Sequence, residues 1–250
     1  MSTVYVAIAV AITCIGWSLW HRRVTWTCTW EWVITLAVSF QGLGMILAAP
    51  ATGPGPTIPD RVLHSLTGLW GVNALLGSLF FVGAAAGFAY TALSRALPTD
   101  RLAWLTPRLI RFPAAASAVM PVVTYAMSDL GARPNAMDLA SGPATRVYWA
   151  VLCLAKIYLL LGAGAVLWLL RRAPRHRTVA NLYLFVCVTG IAVCLARVAA
   201  TFGPQALTAG DIWAVWAFGS LWGAGFALAA AYSWQRKIRP FRKFIEAVGA

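Results

Sequence analysis

Seven stretches of this chain are each about 20 apolar residues long, enough to cross a hydrocarbon core, and only short polar connections separate them. Such a stretch has one stable form in lipid. No water reaches its amides, so the backbone must satisfy itself as a helix. The stretches run over about 3–20, 30–49, 66–93, 112–130, 147–170, 179–202 and 212–234. The expected fold class is therefore all-α: a polytopic membrane protein, a bundle of seven transmembrane helices. Residues 1–235 form one membrane domain, and 236–250 form a basic amphipathic cytosolic tail. In that tail Phe241, Phe244, Ile245 and Val248 share a helical face with cations between them, the pattern of a helix lying on the inner leaflet.

Composition fits. Charged residues make up 11% of the 250, against about 25% in a soluble domain. The formal charge of +13 raises the question of nucleic acid. The placement of the cations answers it. If the N-terminus lies outside, fifteen of the twenty Lys and Arg fall in inner connections and the tail, and three in outer connections. The other two, Lys156 and Arg197, are embedded. That asymmetry obeys the positive-inside rule and sets N-outside, C-inside. No nucleic-acid partner is expected. The expected partner is a lipid bilayer. The first apolar run has its basic residues after it, the reverse of a secretory signal, and reads as a retained helix.

Local signals refine the picture. "PATGPGPTIPD" interrupts the helices after the second stretch, and "SRALPTDRLAWLTPRLIR" has room for a short interfacial helix. Pro121 lies inside the fourth helix and should kink it. Trp20, Trp26, Trp30, Trp32, Trp104, Trp168 and Trp234 fall at inner helix ends, as an interfacial belt does. Gly83 with Gly87, and Gly219 with Gly223, are small-xxx-small pairs. They serve internal packing or, as the sharper alternative, a homodimer face. Glu31 is expected to pair with Arg23 or Arg108. The five cysteines lack metal or redox spacing and read as small buried hydrophobes.

Embedded charge is the best pointer to function. Lys156 falls about nine residues past the outer start of its helix, ~14 Å deep at ~1.5 Å per residue, near the midplane of a ~30 Å core. Arg197 lies in the outer part of the sixth helix. Gln41 and Asn73 are embedded too, while Asp129 and Asp211 close outer helix ends and are the candidate charge partners. A midplane lysine is neutral, or paired, or faces a wet cavity. Two arrangements follow: a buried network with an acidic partner that fixes helix registry, or a cationic cavity for an anionic or zwitterionic ligand. A lipid-headgroup contact is a third. The candidate ligand set is Lys156, Arg197, Gln41 and Asn73.

No histidine is placed mid-helix for haem, no lysine in the seventh span for a Schiff base, and no carboxylate mid-membrane. There is no Walker A loop and no HExxH. The expectation is no enzyme activity, no cofactor and no metal.

"IPDRVLHSLTGLWGVNALLGSLFFVGAA" and "HRTVANLYLFVCVTGIAVCLARVAATF" resemble segments of a group of actinobacterial seven-helix integral membrane proteins described as transporters, with comparable proteins in the phages of those bacteria. The resemblance covers most of the membrane part. It rests on a Leu-Thr-Gly start to the third helix, basic residues before the sixth, and a cation near that helix's outer end, which Arg197 matches. Lys156 has no counterpart in that pattern. The resemblance implies a transporter. The alternative is a non-transporting sensor or phage-type exclusion protein that contacts a membrane-protein partner, or a second copy of itself.

Overall fold

The computed structural model describes residues 2–23, 26, 31–50, 55–127, 131–132, 143–203 and 208–248. Side chains are described among these except at 2, 208–212 and 239–248. Every regular element among the described residues is helical. The elements are α1 (Ser2–His21), α2 (Trp32–Ala48), α3 (Ile58–Thr67), α4 (Val72–Ser94), α5 (Thr99–Thr106), α6 (Phe112–Ala126), α7 (Pro143–Leu170), α8 (Arg177–Phe202) and α9 (Thr208–Val248). Among the described residues six spans are long and apolar enough to cross a membrane: Thr3–His21, Val72–Ser94, Thr99–Ala126, Pro143–Leu170, Arg177–Phe202 and Trp213–Ile238. α2 is apolar but shorter, at 17 residues.

The third span begins later than the apolar pattern implies, at Val72 instead of residue 66. Gly68 and Gly71 cause this, because both adopt left-handed φ, 72° and 74°, which breaks a helix. The preceding residues form the separate α3. Thr57 caps it by accepting from the Asp60 amide, and buried Asp60 accepts from the Gly71 amide at 2.9 Å. One carboxylate thus secures the start of α4. Ile58, Val62 and Leu66 point outward from α3 and are exposed, the pattern of a helix lying in an interface.

The connection after α4 folds as α5, and a π-turn over Pro107–Arg111 leads straight into α6. Pro113 lacks the N–H that would bond the Leu109 carbonyl, and its ring crowds that carbonyl. A wider turn relieves the clash. Pro121 is buried inside α6, and the helix continues through it.

α1, α2, α4, α7, α8 and α9 each pack on the next, and α9 returns to α1, so the six close into a ring. α6 stands outside it against α4 and α7. The tightest seam joins α2 and α4. A Cβ on Gly77 would sit 2.8 Å from the Ala48 Cβ and 3.1 Å from the Gly44 carbonyl oxygen; one on Gly87 would sit 2.9 Å from the Ala37 Cβ. Gly83 meets Phe40 in the same seam, and Gly223 meets Met45 from α9. The small-xxx-small pairs therefore serve packing within the chain at Gly83, Gly87 and Gly223.

Arg22 and Glu31 hold the end of the ring where the basic connections gather. Arg22 is 1% exposed and Glu31 3%. The guanidinium donates to Glu31 at 2.8 Å and to the Ala230 carbonyl at 2.7 Å, fastening the α1–α2 connection to α9. Lys237 is the second partner of Glu31. The expected partners, Arg23 and Arg108, are engaged elsewhere. They lie over the rings of Trp20 and Trp104 at 4.7 and 4.2 Å, and Arg171 lies over Trp168 at 4.5 Å. These tryptophans, with Trp26 and Trp32, are exposed as a belt requires. Trp234 departs from the belt. It is buried, because α9 does not end there but runs on to Val248 through the proposed tail boundary at 235/236. Trp30 lies outside the described residues, as do the tail side chains beyond 238.

Two substitutions probe this frame by thermal unfolding in detergent. Gly77→Ala should cost about 1–3 kcal/mol through overpacking, because backbone stands in the way of the new methyl. Glu31→Gln should cost about 3–5 kcal/mol, since it strands a buried guanidinium, and Arg22→Met with Glu31→Leu should recover much of the loss. An unchanged midpoint in Glu31→Gln would show that the pair is solvated.

Candidate functional site

Lys156 stands midway along α7 and is 6% exposed; Arg197, near the end of α8, is 8% exposed. Both line one cavity of about 80 Å³ inside the ring. Gln41 of α2 lines it too, with Ala74, Ser78 and Phe81 of α4 and Trp216, Gly219 and Trp222 of α9. Three of the four residues singled out in the sequence are therefore brought together. Asn73 stands apart: its amide donates to the Leu47 carbonyl at 3.0 Å and to the Thr57 hydroxyl at 3.3 Å. It ties the end of α2 to the start of α3, a packing role that the sequence position alone did not distinguish from a ligand role. Asp129 lies outside the described residues, and so does the side chain of Asp211.

Among the described residues no carboxylate lines the cavity. Aromatic faces stand beside both cations. The Arg197 guanidinium lies 3.8 Å from the centre of the Trp149 ring, and the Lys156 ammonium 5.9 Å from that of Phe81. A ring quadrupole attracts a cation, by roughly 2 kcal/mol or more where water is excluded. That offsets part of the cost of burying charge and leaves the hydrogen-bonding capacity of the ammonium unspent. Gln41 is 0% exposed, and neither end of its amide meets a hydrogen-bond partner among the described residues. Ser220 Oγ, also on α9, is buried in the same condition. Unpartnered buried amides are costly.

The aromatic members of the site escaped the sequence reading. Trp149 and Lys156 are two turns apart on one face of α7. Trp216, Gly219 and Trp222 recur every three residues on α9. Those spacings were the available signal. Cys153 of α7 and Cys194 of α8 lie one turn from Lys156 and Arg197. Both are buried, as small apolar packing residues are.

Toward the basic end the ring interior closes. Phe88 of α4 meets Tyr183 of α8 at 5.4 Å and Phe226 of α9 at 5.3 Å, and all three are buried. This layer separates the cavity from the cations at that end. Among the described residues no three His, Cys, Asp or Glu side chains gather to hold a metal ion.

Fold and site together define a polytopic helical membrane protein with a small cationic, aromatic-lined cavity in its interior. The chain matches no protein-family model, no curated protein and no solved structure.

A Cβ on Gly219 would meet nothing within 4 Å, so a side chain there grows into open space at the cavity. Gly219→Ala should therefore stabilise the folded chain by about 0.5–1 kcal/mol through the helix term alone, read as a higher midpoint of thermal unfolding. A lower midpoint would mean that the space is occupied.

Proposed function

We propose that this chain crosses the bacterial cytoplasmic membrane seven times, with its N-terminus outside, and that it binds and transports a small anion through the Lys156 cavity. α2 supplies the seventh span. At ~1.5 Å per residue it is about 26 Å long, short of a ~30 Å core by an amount that local thinning absorbs. The basic residues concentrated at one end support the orientation. A transporter is also what the resemblance to the actinobacterial membrane proteins implies.

The observation that carries the anion is the joint presence of Lys156, Arg197 and Gln41 on one cavity without a carboxylate among its described lining residues. An anion would accept from the ammonium and from the idle Gln41 amide. A cavity of about 80 Å³ is small beside the ~300–1,000 Å³ of drug-sized sites. It favours an inorganic anion or a one- or two-carbon carboxylate over a larger zwitterion. In this reading the Phe88, Tyr183 and Phe226 layer is the barrier that must part for passage. The aromatic contacts of both cations favour a second reading, a non-transporting protein whose cations only fasten the helices.

Thermal unfolding of the wild type and Lys156→Met, with chloride, bromide, nitrate, formate and acetate at equal ionic strength, separates the two. The proposal expects at least one anion to raise the wild-type midpoint, and expects Lys156→Met to stay folded and lose that shift. If no anion acts and the variant is simply less stable, Lys156 is a fastening and the anion reading is wrong.

A further inference from the structure

A second, larger cavity of about 770 Å³ lies at the basic end, on the other side of the aromatic layer. It is walled by the ends of α4, α7, α8 and α9. Arg95, Arg175, Arg236 and Lys237 line it with His176, and no carboxylate does so among the described residues. Glu31 neutralises Lys237 from outside the cavity. The three guanidiniums, of Arg95, Arg175 and Arg236, form no ion pair among the described residues. Arg95 is half-buried, donates to the Ser233 hydroxyl at 3.2 Å and lies 5.1 Å over the Tyr183 ring, so it is held at the floor of the cleft. Arg175 and Arg236 are exposed at its mouth. Leu167 and Ala180 give it an apolar wall.

Three guanidiniums lining one concave space with no carboxylate among its described lining residues favour an anionic occupant. Planar forks with several donors match tetrahedral oxyanions best, through paired charge-assisted hydrogen bonds. We propose that this cleft is a phosphate-binding site, with Arg95 as its fixed floor and Arg175 and Arg236 as its closing arms. The group it takes is a phosphate or phosphate ester, carried by a soluble anion or by the headgroup of an anionic lipid. Basic pockets between helix ends at a membrane surface recognise lipid headgroups by this chemistry. The site does not depend on the Lys156 reading, since the aromatic layer lies between them.

The test uses the purified full chain and compares the wild type with the double variant Arg175→Ala with Arg236→Ala. A control, Arg171→Ala with Arg172→Ala, removes the same charge nearby, outside the cleft. Binding is titrated with inorganic phosphate and glycerol 3-phosphate in detergent, and with phosphatidylglycerol against phosphatidylcholine in nanodiscs, at fixed ionic strength. The site predicts saturable binding of a phosphate-bearing probe, weakened by about tenfold or more in the cleft variant through loss of two charge-assisted contacts, and nearly unchanged in the control and in Lys156→Met. Binding of the soluble probes assigns a soluble phosphate, and binding of phosphatidylglycerol alone assigns a lipid. Equal losses in cleft variant and control would reduce the effect to diffuse surface charge and overturn the site, as would failure of every phosphate probe to bind above chloride or phosphatidylcholine.

Discussion

Lys156 and Arg197 are charged side chains in the part of the chain that lipid surrounds, and the cost of that placement governs the arrangement around them. A cation facing hydrocarbon costs several kcal/mol at the least. Turned inward, it needs compensation from the other helices. The ring of α1, α2, α4, α7, α8 and α9 provides an interior, and the rings of Trp149 and Phe81 provide a partial counter-charge. A carboxylate would have matched the ammonium fully and left it inert. An aromatic face compensates charge without accepting conventional hydrogen bonds, so the Lys156 ammonium keeps its donors.

The ring can close only because two seams are drawn tight. Along α2 and α4, glycines and alanines let backbones approach to contact distance. At the basic end, Arg22 reaches through the chain to the Ala230 carbonyl and to Glu31. Small residues contribute dispersion contacts along the length of the helices, and the ion pair fixes their register at one end. The interior between these seams is divided by Phe88, Tyr183 and Phe226 into a small cationic cavity and a wide basic cleft.

Much of this was legible in the sequence, for a physical reason. Lipid leaves an apolar stretch no choice but helix, so the spans could be read from hydropathy alone, and α7 and α8 fall within a few residues of expectation. The errors lie where tertiary structure decides. The start of α4 depends on two left-handed glycines, and apolar content hides such a break. Trp234 resembled a belt residue only while α9 was taken to end beside it. Asn73 and Gln41 look alike as embedded amides, yet one is spent on the Leu47 carbonyl and the other faces the cavity. Lys156 and Arg197 could be singled out because charge is rare in such segments. Their aromatic partners could not, because tryptophan is common there and its role depends on which face it turns inward.

The Lys156 cavity is proposed to hold an anion against an ammonium that no carboxylate among the described residues seals. Crystals of the full chain grown in bromide, with diffraction measured at the bromine absorption edge, test it directly. An anion held there gives an anomalous peak inside the ring, within hydrogen-bonding reach of the Lys156 ammonium and the Gln41 amide. A cavity without bromide, with Asp129 or Asp211 bonded to Lys156, would contradict it.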